Sequence, residues 1–292
     1  MQPIADSGSS LAERLERGEL LTFTPSPVAL AAQHFSLLRS LRPRGSVHKD
    51  ISYNPARRLA TGFRCEAPAD ADSVRAILCE FAAQAAGWLA RLLPRYASSW
   101  QPDRVTFRLE EEATRNLRLT ARNDLLHFDA FPSRPTGGRR ILRLFVNVNL
   151  TDPRVWATSA TFTQVFERYG KSVGLPVSAT DGWLRRWRHG LLNLFQPGAA
   201  ERTAYDTYML RLHHFLKHCD EFQERSPRRL WHFPPGSAWL LFTDALSHAE
   251  LRGQYALECS FFITRDALSL PAESPFALIE NACAAAPLPR AA

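Results

Sequence analysis

The stretch Leu125-Leu-His127-Phe-Asp129-Ala-Phe131 places an imidazole and a carboxylate two residues apart. In an extended strand such residues project from the same face, their Cα atoms ~6.6 Å apart, so both side chains can reach one ion at ~2.1 Å. Leu126, Phe128 and Ala130 would then fill the opposite face. One imidazole and one carboxylate need a second, distant imidazole to complete a facial triad. That donor set holds ferrous iron and leaves coordination positions open. His248 is the candidate, in Phe242-Thr-Asp-Ala-Leu-Ser-His248-Ala-Glu-Leu-Arg-Gly-Gln254. It lies at the join of two strand-like segments, after the turn Pro234-Pro-Gly236. A His-x-Asp pair arises often by chance, so the order and context of the three residues carry the reading.

A rival metal site is weaker. His213, His214 and His218 crowd one helical segment, and His214 and His218 at i,i+4 share a face. No Glu stands beside them as in HExxH, and Asp220 and Glu221 lack ligand spacing, so a packed or solvated cluster is the better expectation. His189 sits in the basic aromatic run Trp183-Leu-Arg-Arg-Trp-Arg-His189, which suits either phosphate headgroups or an amphipathic helix with tryptophans facing the core.

The elements that must position these groups follow from periodicity. Amphipathic stretches around Leu11–Leu20 and Pro27–Leu41 precede a long helix expected over Ala69–Leu93, with Val74, Ile77, Leu78, Phe81, Ala85, Trp88 and Leu92 at helical spacing. From Val105 the period changes to two: Val105–Leu109, Leu125–Ala130 and Arg139–Leu150 read as strands. Trp183–Leu194 and Ala200–Arg225 are helical again, and strand character returns at Ala238–Thr243 and Gln254–Thr264. The expectation is one α+β domain over 1–292, mainly helical over 1–100. A β core spans 101–270, interrupted by a helical insert at about 183–225, and an Ala/Pro-rich tail over 271–292 covers the body or moves freely.

Composition bounds the class. Hydrophobic residues at 45% and charged residues at 22% exclude wholesale disorder, and no apolar run nears the ~20 residues of a membrane span. The N-terminus lacks the basic start and apolar stretch of a secretory signal, so a cytoplasmic location is expected. Cys65, Cys79, Cys219, Cys259 and Cys283 are odd in number and scattered, which reads as reduced thiols rather than a disulfide framework. Of 36 cationic residues only Lys49, Lys171 and Lys217 are lysines, and the net charge is +7. Genome base composition explains that bias blandly. The functional alternative is that guanidinium forks and a positive surface suit carboxylates, phosphates and other anionic partners.

The block His127-Phe-Asp-Ala-Phe-Pro-Ser-Arg-Pro-Thr-Gly-Gly-Arg-Arg-Ile-Leu-Arg-Leu-Phe-Val-Asn-Val-Asn149, with Arg154-Val-Trp156, resembles the Kdo 3-hydroxylases, and so does Ser247-His-Ala-Glu-Leu-Arg-Gly-Gln-Tyr-Ala-Leu-Glu258. The resemblance runs from about residue 45 to 265. It implies a double-stranded β-helix (jelly-roll, cupin-like) core with flanking N-terminal helices and a helical insertion. In such oxygenases the HxD pair comes early in the barrel and the distal His late. It further implies Fe(II) held by His127, Asp129 and His248, with 2-oxoglutarate and O2 as cosubstrates. The activity implied is hydroxylation of carbon 3 of a Kdo residue, an eight-carbon acidic sugar, on Kdo-lipid A to give Ko. An enzyme acting on that glycolipid would be soluble or peripheral at the cytoplasmic face of the inner membrane.

Arg143, Phe145, Asn147 and Asn149 share one face of their strand, and an Arg there is costly to bury without an anionic partner. The distal carboxylate of 2-oxoglutarate is such a partner, so Arg143, with Asn147 on the same face, is assigned to the cosubstrate; a core-edge Arg bridging to Asp or Glu is the alternative. Many relatives in chemistry carry this Arg about ten residues after the distal His, where this chain has Glu258 and Cys259. Arg108 is another inward candidate for substrate, or a satisfied surface Arg. Pro135–Arg140 reads as a flexible turn whose Arg139 and Arg140 close over the sugar or bind its carboxylate and phosphates, or else are solvated. Trp156 would stack on a sugar face, or be plain core. Two other readings stand beside this one: the same chemistry on another anionic sugar, lipid or small molecule, and an Arg-rich nucleic-acid-binding protein. Nucleic acid is not expected, because no helix-turn-helix, zinc-finger or RNP pattern is present.

Overall fold

The computed structural model describes residues 9–43, 50–64, 68–175 and 202–285. In chain order the elements are α1 (Leu11–Glu16), β1 (Leu21–Phe23), α2 (Ala32–Ser40), β2 (Arg42–Pro43), β3 (Ile51–Asn54), β4 (Leu59–Thr61), β5 (Phe63–Arg64), α3 (Pro68–Leu92), α4 (Pro94–Ala97) and β6 (Gln101–Arg108). They continue with β7 (Arg140–Asn147), β8 (Arg154–Thr161), α5 (Phe162–Tyr169), α6 (Ala204–His218), α7 (Asp220–Arg225), β9 (Arg229–Phe233), β10 (Ala238–Phe242), β11 (Leu246–Arg252), β12 (Ala256–Ile263) and α8 (Pro275–Ala284).

Two antiparallel sheets carry the fold. The larger has seven strands in the order β1-β10-β7-β12-β6-β3-β4, the smaller three in the order β11-β8-β9. All eight residues of β7 are buried, as a central strand covered on both faces requires. Its even-numbered residues Leu142, Leu144 and Val146 join Phe242, Leu257 and Phe261 against the apolar stripe of α3, where Val74, Ile77, Phe81 and Leu89 are inaccessible. Its odd-numbered face looks at the smaller sheet. There Phe145 and Trp239 pack on Trp156 and Phe233, with ring centroids of Phe145 and Trp156 4.7 Å apart. A second helical layer of α5, α6 and α8 covers the far side of the smaller sheet through Phe162, Tyr208, Leu212 and Ile279.

Helix boundaries follow local chemistry. Thr161 with Gln164 and Thr203 with Asp206 form capping boxes at the starts of α5 and α6. Ser274 caps α8, and Pro275 takes its first position. The tail is therefore a docked helix as far as Ala284, because Ala277 and Ile279 find an apolar surface.

Several expectations are corrected. The mainly helical region over 1–100 also carries short strands that were not expected: β1 pairs with β10 and β3 with β6, so they extend the large sheet on both sides. Strands β8, β9 and β11 were not anticipated over their full lengths. Leu125–Ala130 is no ladder strand but an extended segment with one isolated bridge, His127↔His248. Of the helical block at 183–225, α6 and α7 are described, whereas Trp183, His189 and the rest of 176–201 lie outside the described residues, as does Cys65. Cys79, Cys219, Cys259 and Cys283 are free thiols. Among the described residues no helix is long and apolar enough to cross a membrane.

Candidate metal centre

His127 and His248 exchange both backbone hydrogen bonds, N–H to carbonyl at 3.1 and 3.0 Å. Such a pair holds its Cα atoms ~5.5 Å apart with side chains on a common face. Two residues further on, the Asp129 N–H donates to the Thr243 carbonyl at 2.9 Å. The other edge of the segment is held by helix side chains: Gln223 of α7 accepts from the Leu126 N–H and donates to its carbonyl, each at 2.9 Å. His213 of α6 takes the Phe128 carbonyl at 2.8 Å. Leu126 and Phe128 bury their side chains in the helical layer. The segment is thus clamped from both edges without a full ladder. The register of β11 against β8 shifts between Leu246 and His248, where Ser159 and Ala160 of β8 together stand opposite Ser247.

The ligand atoms of His127, Asp129 and His248 all lie within 4.8 Å of one another, on buried residues. Asp129 Oδ1 is 3.7 Å from Nε2 of His127 and 4.0 Å from Nε2 of His248. Atoms that share one ion at ~2.1 Å stand at most ~4.2 Å apart, so both separations fit a common ion. Each imidazole donates Nδ1–H to a backbone carbonyl, His127 to Leu125 at 2.8 Å and His248 to Leu246 at 3.0 Å. That fixes the tautomer and leaves the Nε2 lone pairs facing the carboxylate.

Electrostatics sets the protonation states that metal binding needs. Burial, assisted by the nearby Lys217 charge, pushes the His127 pKa down to about 3, and burial lowers that of His248, so both rings are neutral. Burial alone would raise the Asp129 pKa, but the Arg143 guanidinium outweighs it and holds the carboxyl well below its ordinary range. Arg143 Nη1 is 3.1 Å from Asp129 Oδ2. Both Asp129 Oδ2 and Arg143 Nε are nevertheless buried without a hydrogen-bond partner. Two neutral imidazoles, one ionised carboxylate and an arginine with an unsatisfied donor fit a divalent metal and an anionic co-ligand.

Arg143 opens onto a buried ionic network that sequence reasoning missed. Its Nη2 lies 3.8 Å from Glu258, which pairs with Arg108 at 2.9 Å. Arg108 also meets Glu112 and Glu250, each at 3.2 Å, and Asp50 at 3.7 Å. Glu250 and Glu112 in turn hold Arg154, which is wholly buried. Since Arg108 and Glu258 come from the large sheet and Glu250 and Arg154 from the small one, the network ties the two sheets together beside the site. One signal for it was available: Glu250 follows His248 by two and shares its strand face.

Other sequence-assigned residues lie elsewhere in role. Asn147 is fully engaged in structure, donating to the Asp152 and Phe233 carbonyls and accepting from the Asn149 N–H, so it offers nothing to a cosubstrate. Arg108 does point inward, but four carboxylates satisfy it. Arg140 is buried against Asp244 at 2.7 Å and over the Phe242 ring, away from any solvated turn. Arg139 donates to the Thr136 carbonyl and to Gln101 and covers Phe262. The turn bearing them is not free to close: Asp206 accepts from the N–H groups of Thr136 and Gly137. Gly138, at φ +89°, lies so close beneath Phe276 that a Cβ would stand 2.1 Å from the ring. Trp156 is inaccessible and stacks on His248 at 5.5 Å, walling the ligand from solvent rather than meeting a sugar. His214 and His218 bring no third ligand, and the cluster around His127 is the one metal-ligand group among the described residues.

The network yields an acid-stability prediction. Glu250 is held below its ordinary value of 4.5: burial would raise it, but Arg108 and Arg154 prevail. Its stabilisation is therefore present above pH 4.5 and lost as pH falls below it. Glu250→Gln leaves both guanidiniums short of a partner and is expected to cost about 3–5 kcal/mol at pH 7. Urea denaturation should show the gap between wild type and variant narrowing towards pH 3. A gap that is absent at neutral pH, or that widens in acid, contradicts this role.

The family described as 3-deoxy-D-manno-oct-2-ulosonic acid (Kdo) hydroxylase matches residues 2–286. The apo structure of the Kdo hydroxylase KdoO, a non-heme Fe(II) alphaketoglutarate-dependent dioxygenase, is 34% identical, with a TM-score of 0.82 over 93% of this chain and 88% of that one. The same enzyme in complex with alphaketoglutarate and Fe(III) is 33% identical at a TM-score of 0.82, again over 93% and 88%. Its complex with cobalt(II) is 34% identical at a TM-score of 0.83, with the same coverage. No curated protein matches the chain. A family match along nearly the whole sequence, and a solved relative above 30% identity over most of both chains, lead to one conclusion: the chain belongs to the Kdo hydroxylase family.

Proposed function

We propose that the chain is an Fe(II)- and 2-oxoglutarate-dependent dioxygenase that hydroxylates carbon 3 of a Kdo residue on Kdo-lipid A, giving Ko in the lipopolysaccharide inner core. The observation that carries this reading is the convergence of two neutral imidazoles and one ionised carboxylate beside Arg143, whose Nε lacks a partner. The facing sheets are read as a double-stranded β-helix, with the site between them.

His127, Asp129 and His248 would hold the iron through Nε2, Oδ1 and Nε2. When bound, ferrous iron with 2-oxoglutarate supplies the oxidising power, drawn from O2, that converts C–H to C–OH while succinate and CO2 are released. Arg143 would take a carboxylate of 2-oxoglutarate, exchanging part of its contact with Asp129 for a charge-assisted pair. Glu258 and Arg108 behind it limit its movement. Phe145, Trp156 and Trp239 exclude water from the histidine side, which protects the oxidant from wasteful reactions. The glycolipid substrate implies peripheral contact with the cytoplasmic face of the inner membrane, made by the arginine-rich surface.

Incubation with Fe(II), 2-oxoglutarate, O2 and Kdo-lipid A should give a product heavier by one oxygen atom and an equal amount of succinate. Absence of substrate-dependent succinate rejects the substrate. Arg143→Ala should raise the KM for 2-oxoglutarate at least about tenfold, the effect of losing a charge-assisted pair, and an unchanged KM removes Arg143 from the cosubstrate site. On vesicles containing phosphatidylglycerol, sedimentation of the protein should fall as salt rises to ~0.5 M. Binding indifferent to salt rules out an electrostatic attachment.

A further inference from the structure

A polar cavity of about 690 Å³ opens beside Arg143, over the inner face of the large sheet. Strand register explains its lining. Thr61 lies opposite Ser52, Ser52 opposite Thr106, and Thr106 opposite Glu258, so these side chains form one row across β4, β3, β6 and β12. Ser260, opposite Arg143, adds a fourth hydroxyl. Four hydroxyl groups on rigid strands make a surface of paired donors and acceptors, suited to a polyhydroxylated ligand.

The cavity also contains an uncompensated cation. In the pairing of β12 with β6 the register shifts between Cys259 and Phe261, so that Asp103 and Arg104 together stand opposite Ser260 alone. Such a bulge re-aims side chains next to functional sites. Both residues line the cavity. Asp103 is taken by Arg134, whose guanidinium also lies over Phe131. Arg104 makes no ion pair or hydrogen bond among the described residues, and its Nε is buried without a partner. Burial lowers its pKa and the neighbouring Arg134 charge adds to this, which the Asp103 charge only partly opposes.

The geometry points to Arg104 as the residue that binds the carboxylate of the acidic sugar, with Ser52, Thr61, Thr106 and Ser260 reading its hydroxyl groups. The assignment rests on the function proposed above and adds the part of the site that chooses the substrate. Arg143 would face the cosubstrate at the metal side of the cavity and Arg104 the sugar at the other. Two carboxylate-bearing molecules would then each have their own guanidinium. A neutral sugar of the same size would leave the half-buried Arg104 without an anion beside its shielded Nε, which is a basis for discrimination.

The test is steady-state hydroxylation of Kdo-lipid A by the iron-loaded enzyme, comparing wild type with Arg104→Ala and Arg104→Lys. Arg104→Ala should raise the KM for the glycolipid at least about tenfold while the KM for 2-oxoglutarate stays at the wild-type value, and Arg104→Lys should recover part of the loss. The unchanged cosubstrate KM also reports an intact fold. A wild-type glycolipid KM in Arg104→Ala overturns the assignment and leaves the proposed function standing. Parallel increases in both KM values, in the Lys variant too, overturn it by showing a general structural role. Failure of the wild-type enzyme to hydroxylate Kdo-lipid A overturns the functional reading first, and this assignment with it.

Discussion

Taking an ionised carboxylate out of water costs several kcal/mol unless a cation and well-placed donors replace the solvent. Asp129 is buried, must stay ionised to serve a metal, and lies between two imidazoles that burial keeps neutral. Arg143 makes this possible. It is itself buried, so it needs its own restraint, and Glu258, Arg108, Glu250 and Arg154 supply it in sequence across the two sheets. The interior is consequently divided. Aromatic rings fill one part of the space between the sheets, and a chain of ion pairs fills the part next to the metal-ligand cluster. The ionic part acts as a fixed electrostatic frame whose members cannot shift independently.

The backbone follows the same logic. Strand pairing between His127 and His248 brings early and late parts of the chain together, and the helical layer lies along the other edge of the early segment. Side chains replace the missing strand: Gln223 pairs with Leu126 as a neighbouring backbone would, and His213 holds Phe128. The helices α6 and α7 therefore do more than cover the smaller sheet. They fix the residue on each side of His127, which is how an isolated bridge can position a ligand as firmly as a central strand.

Much of this was legible in the sequence, for identifiable reasons. Period-two spacing put His127 and Asp129 on one face, and the order of the motifs indicated His248. Alternation in β7 correctly separated Arg143 and Phe145 from the Leu142 and Leu144 face. What alternation cannot give is the partner across a register. Arg108, Arg140 and Trp156 each had two readings from local pattern alone, and only the neighbours Glu258, Asp244 and His248 decide between them. Arg104 stands one residue before the strand expected from Val105, inside a register shift that no periodic template contains. The turn at Pro135–Arg140 looked flexible from its glycines. Its rigidity comes from Asp206 and Phe276, more than sixty residues away in the chain.

The central claim is that one ion is shared by His127, Asp129 and His248 next to a site for 2-oxoglutarate. Anaerobic addition of Fe(II) and 2-oxoglutarate, followed by visible absorption, tests it without needing the sugar substrate. The wild-type protein should develop a metal-to-ligand charge-transfer band, and His127→Ala, Asp129→Ala and His248→Ala should each lose it while remaining folded by circular dichroism. No band in the wild-type protein, or a band of wild-type intensity in either histidine variant, would contradict the account.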